Sequence, residues 1–518
     1  MNTLKNLITK IPKEVSYITD TLEKAGFEAY LVGGCVRDLL MDTEPKDWDI
    51  TTNAKPDQII KLFEKTVYEN EFGTVMVIQE DVSQETYRQI EVTPYRIEAK
   101  YSDFRHPDEI KFSDKLEDDL KRRDFTVNAM AYRNAKDNSS LIDMFGGLKD
   151  IKDKMLKAVD NPDDRFKEDA LRMLRAVRIA LQLGFSVSHE SSESIAKNAN
   201  LIKKISPERI RDEFSKIIMS SNPSVGIVML QRFGLLKNII PELEDGIGCE
   251  QSGEHIYDVW EHLLQALRHS ADKNWPLEVR LAALFHDIGK PRSRRLAEAG
   301  AGKGKTFLNS QGLALKSPSS SKKKFTFYGH EVIGAKMARK IMERLKFPKK
   351  ETELVEKLIR NHMFFSDTEL ITLSAVRRII AKVGVENIWS LMDVRECDRV
   401  GMKKKEAPYR LRKYFAMIEE ALHDPISVGQ LKIDGEFMIK KLGIVPGPRM
   451  GWILHALLEE VLDDPVKNTE EHLSELAKSL NVLGDAELKT LGDRGKEKKE
   501  ELEEKEIEKL HSKHGVRK

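Results

Sequence analysis

Pro45-Lys46-Asp47-Trp48-Asp49-Ile50-Thr51 is the stretch that decides the fold of the first part of the chain. Alternate side chains of an extended strand face the same side, so the spacing predicts a strand with Asp47 and Asp49 on one face. Trp48 and Ile50 would then turn inward. Two carboxylates with no basic residue between them repel each other unless a cation lies between them. Because hard oxygen ligands suit Mg²⁺, the stretch predicts a magnesium site that also takes substrate phosphates.

A Gly-Gly pair, Gly33 and Gly34, begins twelve positions before Pro45. Residues 29–32 are predicted to form a short buried strand, and a helix is predicted to begin near Val36. The glycines would then lie at a strand-to-helix turn, where a bare backbone can approach a phosphate closely. A simple tight turn is the alternative. Glu91, between two hydrophobic residues of another predicted strand, is a candidate third carboxylate, the alternative being a solvent-facing side chain.

Length and composition limit the class of protein. A chain of 518 residues is too long for one core, and about three or four domains are expected. The net charge of +1 means that any nucleic-acid binding must come from local basic patches. The three cysteines match no zinc or disulfide spacing, which fits a reducing cytoplasm. Since no apolar run approaches the roughly 18 residues of a membrane span, we expect a cytoplasmic protein without a membrane partner.

The pattern of predicted elements changes along the chain. Up to about Asp160 strands such as 74–78 and 89–92 alternate with helical stretches, which predicts an α/β unit. From Asp164 to about Leu480 the strand signals vanish and long helices follow one another, so the remainder is predicted to be all-helical. Within it, residues 292–324 are rich in Gly, Ser and Lys and predict a disordered insertion. Residues 494–518 predict a solvated helix or a frayed tail, with an interaction arm as the alternative.

Two clusters of charged residues bear on the substrate. Lys121, Arg122 and Arg123 stand beside Asp124 and Asn128. Such a run is often a solvated helix end, but next to a metal site it is a candidate triphosphate clamp, because guanidinium groups pair bidentately with phosphate oxygens.

The second cluster is Asp169 and Arg172, three residues apart on a predicted helix whose buried stripe begins at Leu171. One interpretation is a surface ion pair. The other is a reader of nucleobases, because an Asp acceptor beside an Arg donor complements the amino group and ring nitrogen of cytosine or adenine. Uracil and guanine present the reverse pattern and would be rejected.

Several stretches, in order, resemble the motifs of the class II tRNA nucleotidyltransferases, the CCA-adding enzymes, and of their bacterial poly(A) polymerase relatives. The resemblance runs from about residue 29 to 213 and lies in residues 31–40, 45–49, 122–129, 143–147, 168–172 and 206–211. It implies a polymerase-β-like head with a small mixed sheet. It also implies that Asp47 and Asp49, with Glu91, form the Mg²⁺-dependent catalytic site. Asp169 and Arg172 would read CTP or ATP, and the other implied nucleotide-binding residues are Gly33, Gly34, Arg37, Arg122, Asp124, Asn128, Arg175 and Arg178.

Residues 101–107 resemble the flexible loop with which this family switches from C to A. Relatives that add only CC lack the loop, so the chain is expected to add the terminal A. Addition of A alone remains an open alternative.

The helical part carries a second constellation. His262, His286, Asp287 and Asp398 together offer two imidazoles and two carboxylates, a ligand set for a divalent metal that activates water. The set resembles the HD phosphohydrolase superfamily, in which His330 and His362 would hold a second metal. The resemblance implies a 2′,3′-cyclic phosphodiesterase or phosphatase that uses Ni²⁺, Mn²⁺, Co²⁺ or Mg²⁺. A purely structural HD domain is the alternative.

Three functions compete. A CCA-adding enzyme would extend tRNA with CTP and ATP, a poly(A) polymerase would share its motifs, and an HD phosphohydrolase would use the amino-terminal half only to dock RNA. The presence of an HD domain favours the first. The expected domains are a catalytic head (1–163), a helical neck (164–245), an HD domain (246–402), a tRNA-binding segment (403–490) and a charged tail (491–518). No feature of the sequence indicates the oligomeric state.

Overall fold

The computed structural model describes most of the chain, with several gaps. The described residues are 8–69, 73–82, 84–99, 109–133, 140–251, 256–296, 306–308, 314–316, 325–363, 372–401, 409–422 and 428–515. Within these ranges no helix is long and apolar enough to cross a membrane. By its contacts the chain divides into one unit of Met1–His362 with Asp393–Lys403 and a second unit of Met363–Met392 with Lys404–Lys518.

A seven-stranded sheet organises the start of the first unit. Its order is β3-β4-β5-β2-β1-β8-β9, and only the β2 and β5 neighbours run parallel. The strands are β1 (Ala29–Val32), β2 (Asp49–Thr52), β3 (Thr66–Glu69), β4 (Thr74–Ile78), β5 (Gln89–Pro94), β8 (Met130–Arg133) and β9 (Ser140–Asp143). β6 (Arg96–Ala99) and β7 (Glu109–Phe112) pair separately. The mixed sheet confirms the predicted α/β head.

The central strand β1 shows why this part folds as it does. All four of its side chains are buried, as expected for a strand covered on both faces. Helix α1 (Lys13–Lys24) buries Val15, Ile18 and Leu22, a helical spacing that gives it one apolar face. Gly33 then turns the chain into helix α2 (Gly34–Leu40) with a φ of 83°, a conformation that favours glycine. The predicted strand–glycine–helix order is therefore confirmed.

Helices make up most of the remainder of the first unit. The further helices around the sheet are α3 (Pro56–Leu62), α4 (Glu85–Arg88), α5 (Leu116–Lys121) and α6 (Gly147–Lys152). Those that follow are α7 (Pro162–Glu168), α8 (Arg172–Leu183), α9 (His189–Asn198), α10 (Pro207–Ile218), α11 (Pro223–Arg232), α12 (Leu236–Ile239), α13 (Pro241–Glu244), α14 (Val259–Asp272), α15 (Leu277–Phe285), α16 (Lys290–Ser293), α17 (His330–Arg344) and α18 (Lys349–Asn361).

The second unit is helical in its described residues. It contains α19 (Leu373–Val383), the first part of α20 (Ile388–Asp398), α21 (Tyr409–Leu422), α22 (Gly435–Leu442), α23 (Pro448–Asp463), α24 (Glu470–Asn481) and α25 (Asp485–Lys513). Asp393–Lys403, which includes the end of α20, belongs to the first unit. The core of the second unit joins α22 to α25 through buried residues such as Ile453, Leu457 and Leu488. Short 3₁₀ helices occur at Ile8–Lys10, Thr126–Asn128, Ala199–Lys204, Val385–Asn387, Arg399–Gly401, Val428–Gln430 and Pro465–Lys467.

The predicted strand over residues 45–51 is too long. β2 begins at Asp49, and Asp47 lies in a bend before it, so the two carboxylates are not alternate residues of one strand. The register explains the difference: Leu31 pairs with Ile50, and β1 ends at Val32 where Gly33 turns away. Residues before Asp49 therefore have no strand β1 beside them. The inward positions of Trp48 and Ile50 are confirmed, since both are buried.

Asp169 and Arg172 do not share one helix face, contrary to the prediction. α7 ends at Glu168, Asp169 has an extended backbone, and α8 begins at Arg172. Asp169 Oδ1 accepts a hydrogen bond from the backbone N–H of Leu171, a local turn that competes with continuation of the helix. The predicted stripe is otherwise present, with Leu171, Leu174 and Val177 buried.

Short strands also occur where the sequence predicts none. β10 (Met155–Leu156) pairs with β11 (Ser186–Val187), so the region after Asp164 is not entirely helical. Within the predicted disordered insertion, β13 (Thr306–Leu308) pairs with β14 (Ala314–Lys316), and β12 (Arg295–Leu296) pairs with β15 (Phe325–Thr326), which follows the insertion directly. Such pairs of two or three residues are too short to leave a periodic signal.

Two further predictions concern the charged tail and the flexible loop. α25 runs from Asp485 to Lys513, straight through the expected boundary at 490/491, so the charged tail is the continuation of a packed helix in which Gly492 and Gly495 are buried. The flexible loop predicted at 101–107 lies outside the described residues.

Candidate functional sites

The turn at Gly33 lies against the predicted catalytic carboxylate. A β-carbon placed on Gly33 would lie 3.5 Å from Oδ2 of Asp49 and only 2.9 Å from Nη1 of Arg123. The glycine therefore allows a guanidinium and a carboxylate to approach the backbone at the start of α2. Such a turn combines free backbone N–H groups with a cation, the combination that binds phosphate.

The three predicted acidic residues come to the same region of the sheet. Asp49 pairs in register with Glu91 across the parallel strands β2 and β5, so their side chains leave the same face. Burial raises the pKa of Asp49, and Asp47 and Asp119 add to the rise against the opposing effect of Arg123. Asp47 and Glu91 are exposed. A divalent cation bound beside Asp49 would offset this cost of ionising a carboxylate in a partly buried site.

Asp119 organises the basic residues of the predicted clamp. Its fully buried carboxylate accepts from Nε and Nη2 of Arg122 at 2.9 and 2.6 Å, and from Nη2 of Arg123 at 3.1 Å. Burial opposes ionisation, but the two guanidinium groups outweigh it and lower the pKa of Asp119. Lys121, by contrast, is exposed and lies 3.9 Å from Asp160. The two arginines are thus held in place, whereas the lysine faces solvent.

A chain of hydrogen bonds joins the sheet to helix α8. Arg37 Nη1 donates to Asn128 Oδ1 at 2.7 Å, and Asn128 Nδ2 donates to Asp124 Oδ1 at 3.2 Å. Nε and Nη2 of Arg175 donate to Asp124 Oδ2 at 2.9 and 2.6 Å. Four of the predicted nucleotide-binding residues therefore contact one another in series.

The two predicted base-reading residues, Asp169 and Arg172, do not pair with each other, and each has its own partner. Asp169 Oδ2 accepts from Nη2 of Arg209 on α10 at 2.8 Å. Arg172, which is almost buried, donates to Glu168 Oε2 at 2.8 Å and to the carbonyl of Arg122 at 2.9 Å. The direct surface ion pair considered for the sequence is therefore wrong.

Arg178, the last of the predicted pocket residues, is also fixed. Its Nε donates to Oε2 of the buried Glu213 at 2.6 Å, and its Nη1 donates to Gln182 at 2.9 Å. Glu213 and Arg209 both belong to α10, so this one helix positions the guanidinium of Arg178 and the carboxylate of Asp169.

The second constellation forms a compact buried cluster. His262 on α14, His286 and Asp287 after α15, and Asp398 at the end of α20 each place a ligand atom within 4.8 Å of the others. Nε2 of His262 lies 3.0 Å from Nε2 of His286, and each lies 3.3 Å from Oδ2 of Asp287 and 3.5 Å from Oδ1 of Asp398. All four side chains are buried.

The other carboxylate oxygen of Asp287 faces two more histidines. Nε2 of His330 and Nε2 of His362 lie 3.2 and 3.8 Å from Oδ1 of Asp287, and the three residues form a second group of potential metal ligands. Within the described residues, neither Nε2 atom makes a hydrogen bond. Asp287 therefore stands between two sets of donors.

Backbone carbonyls set the orientation of three of these imidazoles. Nδ1 of His286, His330 and His362 lies 2.8, 2.7 and 2.6 Å from the carbonyl three residues earlier in the chain. A ring that donates from Nδ1 presents the lone pair of Nε2 to the cluster, as metal-binding histidines do.

Electrostatics favour positive charge where the donors converge. Burial opposes protonation of His286, but Asp287 and Asp398 outweigh it and raise the pKa of His286 to about 10. Burial, with the neighbouring His286, lowers the pKa of His362 to about 3. Burial disfavours ionisation of Asp287, yet Lys290 and His286 hold the pKa of Asp287 well below its usual range.

Two further cations touch the carboxylates of the cluster. Nζ of the buried Lys290 lies 2.5 Å from Oδ2 of Asp287 and donates to Oε1 of Gln251 at 2.6 Å. Arg395 pairs with Oδ2 of Asp398, the oxygen that does not face the histidines. These contacts position the two acids.

Three sequence families match the chain in succession. The family described as "Poly A polymerase head domain" matches residues 29–157, "Probable RNA and SrmB- binding site of polymerase A" matches 184–247, and "HD domain" matches 253–403. Three successive segments of the chain are therefore similar to a poly(A) polymerase head, to its RNA-binding region and to an HD domain. The resemblance expected from the motifs is therefore confirmed, and the two sites described above lie in the head with its helical neighbour and in the HD domain.

Curated relatives that match the chain include proteins named CCA-adding enzymes. That of Ligilactobacillus salivarius (strain UCC118) is 44% identical over 225 residues, which cover 43% of this chain and 54% of the relative. That of Bacillus subtilis (strain 168) is 50% identical over 198 residues, covering 38% of this chain and 48% of the relative. The chain thus matches about half the length of these curated relatives.

Solved structures resemble nearly the whole chain. The CCA-adding enzyme of Bacillus stearothermophilus in complex with CTP has a TM-score of 0.55 and 25% identity, covering 91% of this chain and 98% of that one. The Thermotoga maritima CCA-adding enzyme complexed with tRNA has a TM-score of 0.51 at 17% identity, covering 92% of this chain and 98% of that one, which shows a shared fold.

The two sites differ in how completely they are assembled for a metal. Among the described residues, the groups of acidic and histidine ligands that converge within 4.8 Å are the two of the HD domain. Imidazoles together with carboxylates fit a divalent transition metal there. In the head domain, exposed Asp47 and Glu91 beside half-buried Asp49 fit a cation such as Mg²⁺, which takes its other ligands from substrate phosphates.

Several site residues were not predicted from the sequence. Buried Asp119, Arg209 beside Asp169, Glu213 and Lys290 all contact predicted residues. Asp119 lies just before the predicted clamp, so its nearness in sequence was an available signal. Arg209 and Glu213 lie 40 and 35 residues from their partners, and only the packing of α10 brings them there.

Proposed function

We propose that this chain adds C, C and A to the 3′ end of tRNA from CTP and ATP, releasing pyrophosphate. The observation that carries the proposal is the pair Asp169 and Arg172, each held rigidly by a partner of its own. Fixed donors and acceptors can select a base edge without a nucleic-acid template. The names of the curated relatives support the same activity.

In the proposed reaction the 3′-hydroxyl of tRNA attacks the α-phosphorus, and the bond to the β-phosphate oxygen breaks. Mg²⁺ held by Asp47 and Asp49, with Glu91 beside them, would supply charge stabilisation for the reacting oxygens. Gly33, Gly34, Arg37 and Arg122 would orient the triphosphate. Asp124, Asn128, Arg175 and Arg178 would complete the pocket wall, because Arg37 donates to Asn128, Asn128 donates to Asp124, and Arg175 donates to Asp124.

The test uses the full chain with a tRNA that lacks CCA. Labelled CTP alone should give addition of two C residues, and CTP with ATP should give CCA. Long A tails from ATP would identify a poly(A) polymerase, and addition of A only to a tRNA ending in CC would identify an A-adding enzyme. No incorporation would leave the head as an RNA-docking domain and reject the proposal.

A second activity is supported by a separate observation, the cluster of six buried side chains that Asp287 forms with four histidines and Asp398. We infer that the HD domain hydrolyses a phosphoester such as a 2′,3′-cyclic phosphate at an RNA end. Ni²⁺, Mn²⁺, Co²⁺ or Mg²⁺ bound by His262, His286, Asp287 and Asp398 would activate water, and His330 with His362 would hold a second ion. A water molecule then adds to phosphorus as one P–O bond of the cyclic ester breaks.

Hydrolysis of bis-p-nitrophenyl phosphate and 2′,3′-cAMP tests this activity, with each metal added in turn to protein stripped by chelation. Release of product with at least one metal is the expected result. No release with any of the four metals would mean that the HD domain is structural.

The cellular setting and the domain limits are part of the proposal. Cys35, Cys249 and Cys397 are free and buried, which agrees with a reducing cytoplasm. We retain a head (1–163), neck (164–245), HD domain (246–402) and tRNA-binding segment (403–490), with the final helix α25 added to that last segment.

A further inference from the structure

We propose that Tyr328 is a stacking platform for the base of the molecule hydrolysed at the HD cluster, which makes a nucleoside phosphoester the preferred substrate class. This inference rests on the proposed hydrolytic function. It adds a specificity residue to the phosphate chemistry of the metal ligands.

Tyr328 is the most exposed aromatic side chain among the described residues. It is 86% exposed, whereas the next, Tyr17, is 55% exposed. A large ring in water loses the stabilisation that burial would bring, and a single exposed ring on a surface has no special meaning. The position of Tyr328 is what sets it apart.

The turn that carries Tyr328 is built into the metal cluster. His330 Nδ1 lies 2.7 Å from the carbonyl of Phe327, and the left-handed Gly329, with a φ of 74°, lets α17 begin at His330. Nε2 of the same histidine lies 3.2 Å from Asp287 Oδ1. Tyr328 is therefore two residues from a proposed metal ligand, on a turn whose shape that ligand determines.

The same turn also reaches the cation of the site. The Phe327 ring lies 5.9 Å from Nζ of Lys290, which is itself 2.5 Å from Oδ2 of Asp287. Arg294 stacks on Phe325 at 3.7 Å, and β15 pairs with β12, so the strand leading into the turn is anchored. Lys290 and His330 thus contact different oxygens of Asp287. The turn 327–330 contacts both sides, since it contains His330 and its Phe327 ring lies near Lys290.

This arrangement separates two tasks. The cluster with Lys290 offers positive charge for a phosphoryl group, and Tyr328 offers an exposed ring at the edge of the same turn. Stacking is tolerant of base identity because every base has a π face, so we expect little preference among the four bases. A phosphoester without a base would use the cluster alone.

The experiment compares Tyr328→Ala and Tyr328→Phe in the full chain. The substrates are 2′,3′-cAMP and glycerol 1,2-cyclic phosphate, which has the same cyclic ester but no base. Tyr328→Ala should raise the KM for 2′,3′-cAMP about tenfold, the size of effect expected for loss of one stacked base, with kcat within about twofold. The KM for glycerol 1,2-cyclic phosphate should not change, and Tyr328→Phe should behave like the unmodified protein. Tyr17→Ala, an exposed aromatic of the first unit, is the matched control.

Equal losses on both substrates would show that Tyr328 only shapes the turn and would overturn the proposal, as would an unchanged KM for 2′,3′-cAMP. A binding measurement distinguishes failure of the Tyr328 platform from failure of the proposed hydrolytic function. Calorimetric titration of 2′,3′-cAMP, with saturating CTP to fill the head site, should give about a tenfold higher Kd for Tyr328→Ala. If the unmodified protein hydrolyses nothing, the hydrolytic function fails, and the Kd comparison still decides for or against the platform.

Discussion

At the scale of single residues, the position of Asp169 leads to a prediction about base selection. Its two oxygens accept hydrogen bonds from the Leu171 backbone and from Arg209, so the carboxylate is held in one orientation. It cannot turn to suit the different hydrogen-bonding edges of C or A and of U or G. Asp169→Ala should reduce discrimination of CTP and ATP against UTP and GTP by about 10- to 100-fold, the effect of about 1–3 kcal/mol for one mispaired polar edge. Single-turnover incorporation of each nucleotide into tRNA measures it.

The matched control for that substitution is Asp164→Ala, an exposed acid on the preceding helix α7. It should leave discrimination unchanged. If Asp169→Ala also leaves the preference for CTP and ATP intact, Asp169 serves the structure through Arg209 and does not read the base.

Asp124 gives a prediction about pH. Burial raises the pKa of its carboxyl, but the charge and hydrogen bonds of Arg175 outweigh burial and lower that pKa to about 2 from 3.8. Because the folded pKa is depressed, the stabilisation is complete well above pH 3.8 and is lost as pH falls toward 2. The shift corresponds to about 2 kcal/mol. Asp124→Asn should therefore lower the melting temperature at pH 7, and the difference should shrink to about half at pH 3.

Thermal melting followed by circular dichroism at several pH values checks this expectation. Asp164→Asn serves as the exposed control and should not alter the melting temperature. A difference between Asp124→Asn and the unmodified protein that stays constant from pH 7 to pH 3 would show that the hydrogen bonds matter and the charge does not.

At the scale of elements, two glycines let helices α23 and α25 approach closely. A β-carbon on Gly495 would lie 2.2 Å from the carbonyl oxygen of His455, and one on Gly492 would lie 2.8 Å from the α-carbon of Trp452. Since both contacts are with backbone, the helices would have to move apart. Gly495→Ala should therefore destabilise the second unit by about 1–3 kcal/mol, as overpacking does, despite the higher helix propensity of alanine.

Gly451→Ala is the control for this prediction, because a β-carbon there meets no atom within 4 Å in the same helix α23. It should be neutral or slightly stabilising. Chemical unfolding of the full chain measures both variants, and equal stability of Gly495→Ala and Gly451→Ala would contradict the close approach.

At the scale of the whole molecule, the two metal-dependent reactions should be separable. The double substitution Asp47→Asn with Asp49→Asn should abolish nucleotide addition. The rate of phosphoester hydrolysis should stay within about twofold of that of the unmodified protein, because the proposed metal ligands of the two reactions lie in segments that match different sequence families. Asp287→Asn should do the reverse, because its two oxygens face both groups of HD-domain donors. Chelation should stop both reactions. Loss of both reactions in either variant, with an unchanged melting temperature, would contradict two independent centres.

The sequence predicted local elements well where one physical rule dominates. The strand at 29–32, the glycine turn and the two further strands predicted at 74–78 and 89–92 follow from runs of apolar and β-branched residues, and the last of them extends to Pro94. The predicted bounds were wrong where contacts with a neighbouring strand or a capping side chain decide where a strand or helix begins or ends. β2 starts at Asp49 because β1 ends at Val32, and the helix around Asp169 breaks because its side chain caps the next turn.

By itself, the sequence determined the order of the domains, the mixed sheet of the head and the residue types able to hold metal and phosphate, because these depend on periodicity and on chemistry carried by single side chains. Tertiary structure alone decided which charges meet. Arg209 reaches Asp169, Arg175 reaches Asp124, and His330 faces the oxygen of Asp287 that His262 does not. Such partners lie far apart along the chain, and burial makes their pairing obligatory only after the helices have packed.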